Sequence, residues 1–347
     1  MWEEMELVDM KEAMFYESLG DQDVRCDLCA HHCKIQEGQR GICNVRENQG
    51  GTLNTLVYGR TISQHVDPVE KKPLLHFYPG SRAFSIATPG CNFRCQWCQN
   101  AGISQMPRER QMIMGSEASP EKIVETALDQ GCKSIAYTYT EPTIFFEYAY
   151  DTAQIAQERG LKNIFVTNGY MTEKALKKIE PYLDAANVDL KGFKNDFYRK
   201  YVGAKLEPVL ENLKTIKKLD IWLEVTTLVI PELNDSDQEL RNAAKFIAEE
   251  LGEETPWHIS GFYPAYQMQD VPPTSPERLR NAYQIGKEEG LKHIYNRQVR
   301  EGSDTHCAGC GETLIDRQGY LITENRIEGT DSCPNCGESI PGVGMTG

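Results

Sequence analysis

Between Ala83 and Val299 the chain alternates short apolar or β-branched runs with longer amphipathic stretches. The runs Phe84–Thr88, Ser134–Tyr139, Asn163–Thr167, Ala186–Leu190, Trp222–Ile230 and Trp257–Phe262 are bounded by Gly, Pro or Asn. They read as parallel strands buried on both faces. Helical stretches fill the gaps. Ser119 can cap one, with Pro120 in its first turn and Gly131 closing it; a second runs from Pro142 to Arg159 and stops at Gly160. A third starts near Asn234 or Asp235 and ends at Gly252, and a fourth runs from Ser275–Pro276 to Gly290. Right-handed strand–helix–strand connections wrap such units into an α/β barrel. Six clear strands predict a partial (β/α)6 barrel, with a doubly wound sheet as the alternative.

The flanks differ. Residues 1–82 lack strong periodicity and residues 300–347 are rich in turns, which divides the chain into 1–82, 83–299 and 300–347. No apolar run approaches the ~18 residues of a membrane span. The acidic start, Met1 to Met14, lacks the basic and apolar regions of a signal peptide, so a cytoplasmic protein is expected. With 40% hydrophobic and 25% charged residues the composition is that of an ordinary globular chain. Its 37 basic against 51 acidic residues give a net charge of −14, which argues against nucleic acid as a partner.

Cysteine changes this picture. Of 12 cysteines, eleven fall in three tight groups, and Cys132 alone reads as a small core residue. In a reducing compartment such grouping means metal or cluster ligation. The central group, Cys91-x3-Cys95-x2-Cys98, follows the first barrel strand and so belongs at the carboxyl ends of the strands, where such folds place chemistry. Three thiolates can hold three irons of a cubane and leave the fourth open; a zinc site completed by a distant His is the weaker reading.

Cys307-x2-Cys310 and Cys333-x2-Cys336 are 22 residues apart, and each pair is followed by Gly. Between them Leu314–Ile315 and Tyr320–Ile322 flank a turn, a hairpin joining two metal knuckles. The pattern predicts a zinc ribbon, with a rubredoxin-like iron site as runner-up. The first group, Cys26-x2-Cys29-x3-Cys33-x9-Cys43, suits either zinc or an auxiliary iron–sulfur cluster, with a slight lean to zinc.

The loop Cys91-Asn92-Phe93-Arg94-Cys95-Gln96-Trp97-Cys98 resembles the CxxxCxΦC signature of the radical S-adenosylmethionine (SAM) superfamily, with Trp97 at the aromatic position. The resemblance implies a 4Fe–4S cluster on Cys91, Cys95 and Cys98, S-adenosylmethionine on the open iron, and a 5′-deoxyadenosyl radical. Tyr139-Thr140-Glu141-Pro142 stands where the superfamily carries a Gly-Gly-Glu stretch that meets the methionine ammonium, and Glu141 is the matching acceptor. Thr167-Asn168-Gly169 and Asp189-Leu190-Lys191 resemble stretches of glycyl-radical-enzyme activases that meet the cofactor's ribose or methionine end. His258 is a further candidate contact to cofactor or substrate.

Over nearly the whole length the motifs, including Asp67 to Gly80 and Gly41 to Arg46, resemble the AmmeMemoRadiSam system radical SAM enzymes, which are related to pyruvate formate-lyase activating enzymes. Two departures are Ala30 in place of Pro and Asn296-Arg297-Gln298-Val299 in place of a Gly-Asn-Val ending. The resemblance implies a reductant such as flavodoxin or ferredoxin and association with Memo-type and AMMECR-type proteins. Three functions compete: hydrogen abstraction from a small molecule, with the flanking metal sites closing the barrel mouth; activation of a glycyl radical enzyme through a Gly loop; and a non-enzymatic electron-transfer or scaffold protein. The first is preferred.

Overall fold

The computed structural model describes residues 10–296, 298, 302–327 and 329–346, so the acidic start before Met10, Arg297 and Val299, and the boundary expected at Val299 and Arg300, lie outside the described residues. The centre is one eight-stranded sheet. Its strands are β1 (Ser63–Pro68), β2 (Arg82–Ala87), β3 (Ser134–Tyr137), β4 (Lys162–Thr167), β5 (Ala185–Asp189), β6 (Trp222–Val229), β7 (Trp257–Gly261) and β8 (Ile294–Tyr295). They pair in sequence order from β1 to β8; β1 runs antiparallel to β2 and every other pair is parallel. A doubly wound sheet reverses its strand order part-way; this one never does, so the partial barrel holds.

All six expected strands are present and central. The two at the edges were not expected. Strand β1 lies at an edge where Gln64 and His65 reach water, and β8 is only two residues long. Helices α1 (Pro120–Asp129), α2 (Phe146–Glu158), α5 (Asp237–Phe246) and α6 (Pro276–Glu288) match the pattern, with small shifts at their starts. Ser119, Ser236 and Ser275 cap α1, α5 and α6 by accepting a hydrogen bond from a backbone N–H three residues on. Two helices had escaped the pattern, α3 (Glu173–Ile179), capped by Thr172, and α4 (Glu207–Lys218). Only Val209, Leu213 and Ile216 of α4 form its apolar stripe, beneath a lysine-rich outer face.

The flanks close opposite ends of the barrel. At the amino ends of the strands, Val69, Leu74 and Phe77 pack against Ala83, Ala136, Ile164 and Ala185. The backbone N–H groups of Leu75 and His76 donate to the Glu224 carboxylate of β6, at 3.0 and 2.8 Å. The C-terminal hairpin (Thr313–Gln318 and Leu321–Asn325) docks on this segment. Its Arg317 donates to the carbonyl of Leu75 at 2.9 Å, and Val343 pairs with Phe77. At the carboxyl ends lies the N-terminal segment: Cys29 bridges to Met171, and Ala30 N–H donates to the Tyr170 carbonyl at 3.0 Å. The expectation that both flanks close the mouth is therefore corrected. The ribbon follows the last strand and meets the segment that leads into β2, so it sits at the bottom; only the N-terminal segment reaches the mouth. Cys132 is buried in the main core. Among the described residues no helix is long and apolar enough to cross a membrane.

Candidate active site and metal centres

Strand β2 ends at Ala87, and the three-cysteine loop leaves it at the carboxyl end of the sheet. The loop is pinned through its backbone. Arg94 N–H donates to the Val202 carbonyl at 2.9 Å, Gln96 N–H to Tyr201 at 3.1 Å, and the Asn92 carbonyl meets His31 Nε2 at 2.8 Å. Gly90, at φ +108°, permits the tight approach of the N-terminal segment: a Cβ there would lie 2.8 Å from Val45 Cγ1.

Cys95 is buried and Cys91 and Cys98 are partly buried. Burial pushes the Cys91 thiol well above its ordinary value, with Glu141 and the charges of Cys95 and Cys98 adding to it. Burial likewise pushes Cys95 up to about 12, against the pull of Lys191. Such thiols ionise when a metal takes them, because the ion supplies the missing charge. Their spacing also suits a cluster. Among the described residues only the C-terminal quartet brings three or more Cys, His, Asp or Glu ligand atoms within 4.8 Å of one another. The loop's three sulfurs do not all lie within that distance, and ligands of separate irons in a cubane have no need to. Asn168 Nδ2 lies 3.9 Å from Cys91 Sγ, a donor beside a ligand sulfur. The residues fit the group.

Around the loop stand the other sequence-predicted residues. Glu141 ends the β3 loop and is buried, and its carboxylate is heavily engaged. Oε1 accepts from Thr143 N–H (3.0 Å), Thr143 Oγ1 (2.5 Å) and Thr167 Oγ1 (2.7 Å), while Oε2 accepts from Asn168 N–H at 2.8 Å. It thus ties the end of β3 to the end of β4. Asn168 Nδ2 in turn donates to Asn92 Oδ1 at 2.7 Å, inside the cysteine loop. Asp189 and Lys191 form an ion pair at 3.1 Å after β5. Burial opposes the Lys191 charge, but Asp189 and Cys95 hold its pKa above the ordinary lysine value.

Two of the residues singled out in the sequence are held by neighbours within the protein. The Trp97 indole is buried and stacks on Phe197, with centroids 5.4 Å apart, so it fixes the loop by packing. His258 faces the barrel interior, where Nε2 meets Glu224 at 2.6 Å and the ring stacks on Tyr295. It belongs to the buried polar network that ties β6, β7 and β8 to the segment beneath them. Sequence pattern alone does not assign a role to Asn92, Thr143 or Asn100. Asn100 Nδ2 donates to the carbonyl of Tyr139, a residue in left-handed conformation at φ 62°, and so joins the loop to β3.

The C-terminal quartet is compact. Cys307 and Cys336 sulfurs are 3.5 Å apart and those of Cys310 and Cys333 are 3.7 Å apart. Tetrahedral zinc with ~2.3 Å bonds needs sulfurs about 3.8 Å apart. Gly311 and Gly337, at φ 78° and 79°, close two matching knuckles by donating to the carbonyls of Cys307 and Cys333. The predicted hairpin and its four-cysteine group are both present.

A sequence profile described as the Radical SAM superfamily matches residues 85–245. The "Uncharacterized protein MJ0808" of Methanocaldococcus jannaschii is 48% identical over 336 residues, covering 95% of this chain and 99% of that protein. The pyruvate formate-lyase-activating enzyme of Clostridium pasteurianum is 22% identical over 226 residues, 60% of this chain and 92% of its own length. Among solved structures, a radical SAM methyltransferase from Sphaerobacter thermophilus aligns over 68% of this chain and 71% of its own, with a TM-score of 0.50 and 17% identity.

Proposed function

The chain belongs to the radical SAM superfamily, in one family with the Methanocaldococcus jannaschii protein, and on that premise we propose that Cys91, Cys95 and Cys98 hold a 4Fe–4S cluster at which S-adenosylmethionine is cleaved. The observation that carries this is the three-cysteine loop at the carboxyl end of the barrel, cross-braced by Asn92, Asn168 and Glu141. Held by these three cysteines, such a cluster would supply the electron that splits the sulfonium carbon–sulfur bond into methionine and an adenosyl radical, which would take hydrogen from the substrate. The chain's own residues position and shield. Glu141 fixes the ends of β3 and β4, Asn168 holds the loop, and the Asp189–Lys191 pair places a charge of each sign beside Cys95 for a zwitterionic ligand.

The substrate we propose is a small molecule. The N-terminal segment packs over the carboxyl ends of β2 and β4, which narrows the way in for a protein loop. Similarity to activating enzymes supports the competing activase reading. An electron donor of the flavodoxin or ferredoxin type would meet a cavity of about 350 Å3 lined by Arg94, Arg108, Arg199 and Lys200, and by Glu109. Placement in the AmmeMemoRadiSam system, with Memo-type and AMMECR-type partners, rests on the motifs quoted above. Zinc is the metal proposed for the C-terminal quartet.

The test is anaerobic turnover of reduced enzyme with S-adenosylmethionine, reading 5′-deoxyadenosine by chromatography. Wild type should release it, and Cys91→Ala, Cys95→Ala and Cys98→Ala should each abolish release. Release by any of the three variants refutes the assignment. A glycyl radical signal on adding a glycyl radical enzyme would refute the small-molecule reading.

A further inference from the structure

The four N-terminal cysteines are not explained by the site above. Cys26, Cys29, Cys33 and Cys43 line one cavity with Leu28, Ile35, Ile42 and Ile144. We propose that these four thiolates ligate a polynuclear iron–sulfur cluster, not a single zinc ion. The argument is independent of the function proposed for Cys91, Cys95 and Cys98.

The protein contains its own standard for comparison. Its C-terminal quartet has sulfurs at 3.5 and 3.7 Å, the tetrahedral spacing of one ion. The N-terminal four share a cavity, yet among the described residues no three of their sulfurs come within 4.8 Å of one another. A lone zinc ion at ~2.3 Å cannot reach four sulfurs so separated, whereas a cluster presents a separate iron to each. Local backbone agrees. Each C-terminal pair sits in a knuckle closed by a left-handed glycine, while Cys33 and Cys43 stand ten positions apart on either side of a turn. The sequence-based lean to zinc at this site gives way on that geometry.

Two buried donors support an occupant rich in acceptors. Among the described residues Arg46 Nε and Asn92 Nδ2 find no hydrogen-bond partner, and both residues are 1% exposed and line the cavity. An unmade hydrogen bond on a buried donor costs about 1–3 kcal/mol, so such groups are normally satisfied. The cysteine thiolates accept such bonds around either metal, and the sulfides of a cluster add acceptors that a zinc ion lacks. The other end of Arg46 is locked to Glu147 at 2.6 Å, which holds the guanidinium beside the cysteines. Asn92 also follows Cys91 directly, so one residue both lines this cavity and belongs to the three-cysteine loop.

The experiment uses the full chain, reconstituted anaerobically with ferrous iron and sulfide, and a Cys91→Ala/Cys95→Ala/Cys98→Ala triple variant. Iron, acid-labile sulfide and zinc are counted per chain. Wild type should hold about eight irons and the triple variant about four, with matching sulfide and unchanged zinc. A triple variant without both iron and sulfide overturns the proposal, as does iron without sulfide. As a second arm, Cys33→Ala/Cys43→Ala should halve the iron while the reduced protein keeps a SAM-dependent electron paramagnetic resonance signal. Loss of one zinc with full iron there also overturns it. A triple variant that keeps its cluster, beside a wild type that releases no 5′-deoxyadenosine, would sink the catalytic reading and leave this one standing.

Discussion

Replacing Glu141 tests how the mouth of the barrel is held. In Glu141→Ala the carboxylate that receives four hydrogen bonds is removed from a position 1% exposed. The hydroxyls of Thr143 and Thr167 can rotate toward other acceptors. The backbone N–H groups of Thr143 and Asn168 cannot, because their directions are set by the helix start and the strand end. Two stranded buried donors at about 1–3 kcal/mol each predict a loss of roughly 2–6 kcal/mol. Unfolding entropy near 2.1 cal/mol/K per residue gives about 0.7 kcal/mol/K for a chain of this length, so the midpoint should fall by roughly 3–8 °C. The assay is anaerobic thermal unfolding followed by circular dichroism, with 5′-deoxyadenosine release measured in parallel below the transition. A bracing role predicts that stability and turnover fall together. Glu141→Gln keeps one acceptor and should lose less stability than Glu141→Ala. A midpoint within about 1 °C of wild type in Glu141→Ala, with only the KM for S-adenosylmethionine raised, would refute the brace and leave the carboxylate as a contact for the cofactor's ammonium.

Two other outcomes follow from the same structure. Burial first, and then the nearby charges of His76, Lys287 and Lys292, lower the His293 pKa to about 2, so it is neutral when folded. The unfolded chain binds that proton below about pH 6.5, so stability falls as pH drops through this value; at pH 5 the loss is about 2 kcal/mol. In His293→Gln the change in stability between pH 7 and pH 5 should shrink by that amount, and an unchanged difference refutes it. At the ribbon, Cys307→Ser/Cys333→Ser should lose one zinc per chain, keep its iron, and become open to proteolysis within residues 302–346. Zinc at the wild-type level in that variant would remove the metal from the site.

How much of this could be read along the chain varies by element and for physical reasons. The six central strands are buried on both faces, so their apolar runs stood out. The edge strand β1 could not, since Gln64 and His65 point to water and its pairing depends on β2 being in place. Cysteine spacing located the C-terminal quartet, because ligands near in sequence are near in space. Spacing did not decide between zinc and a cluster at Cys26 to Cys43, since that choice depends on separations fixed by the segment's docking on β4. His258 shows the converse. A histidine on a barrel strand suggests cofactor chemistry, but its partner Glu224 lies 34 positions away, and only the barrel's curvature brings them to 2.6 Å.

The placement of the flanks bears on why the barrel can be incomplete. An open barrel exposes two ends and a seam, and each must be covered without burying unpaired polar groups. Beneath the strands an apolar cover of Val69, Leu74 and Phe77 has its backbone groups matched: the Glu224 carboxylate takes the N–H groups of Leu75 and His76, and Arg317 answers the carbonyl of Leu75 at 2.9 Å. Above them the cover includes the N-terminal cysteine segment, tied to β4's loop by Ala30 and Thr172 and to α2 by the Arg46–Glu147 pair. Leu28, Ile35, Val45 and Leu53 of that segment join the main core, and a bound cluster would add its ligation energy to that packing as metals do in small domains. Loss of that cluster should therefore loosen the roof over the three-cysteine loop, through His31 on the Asn92 carbonyl, before it disturbs the sheet.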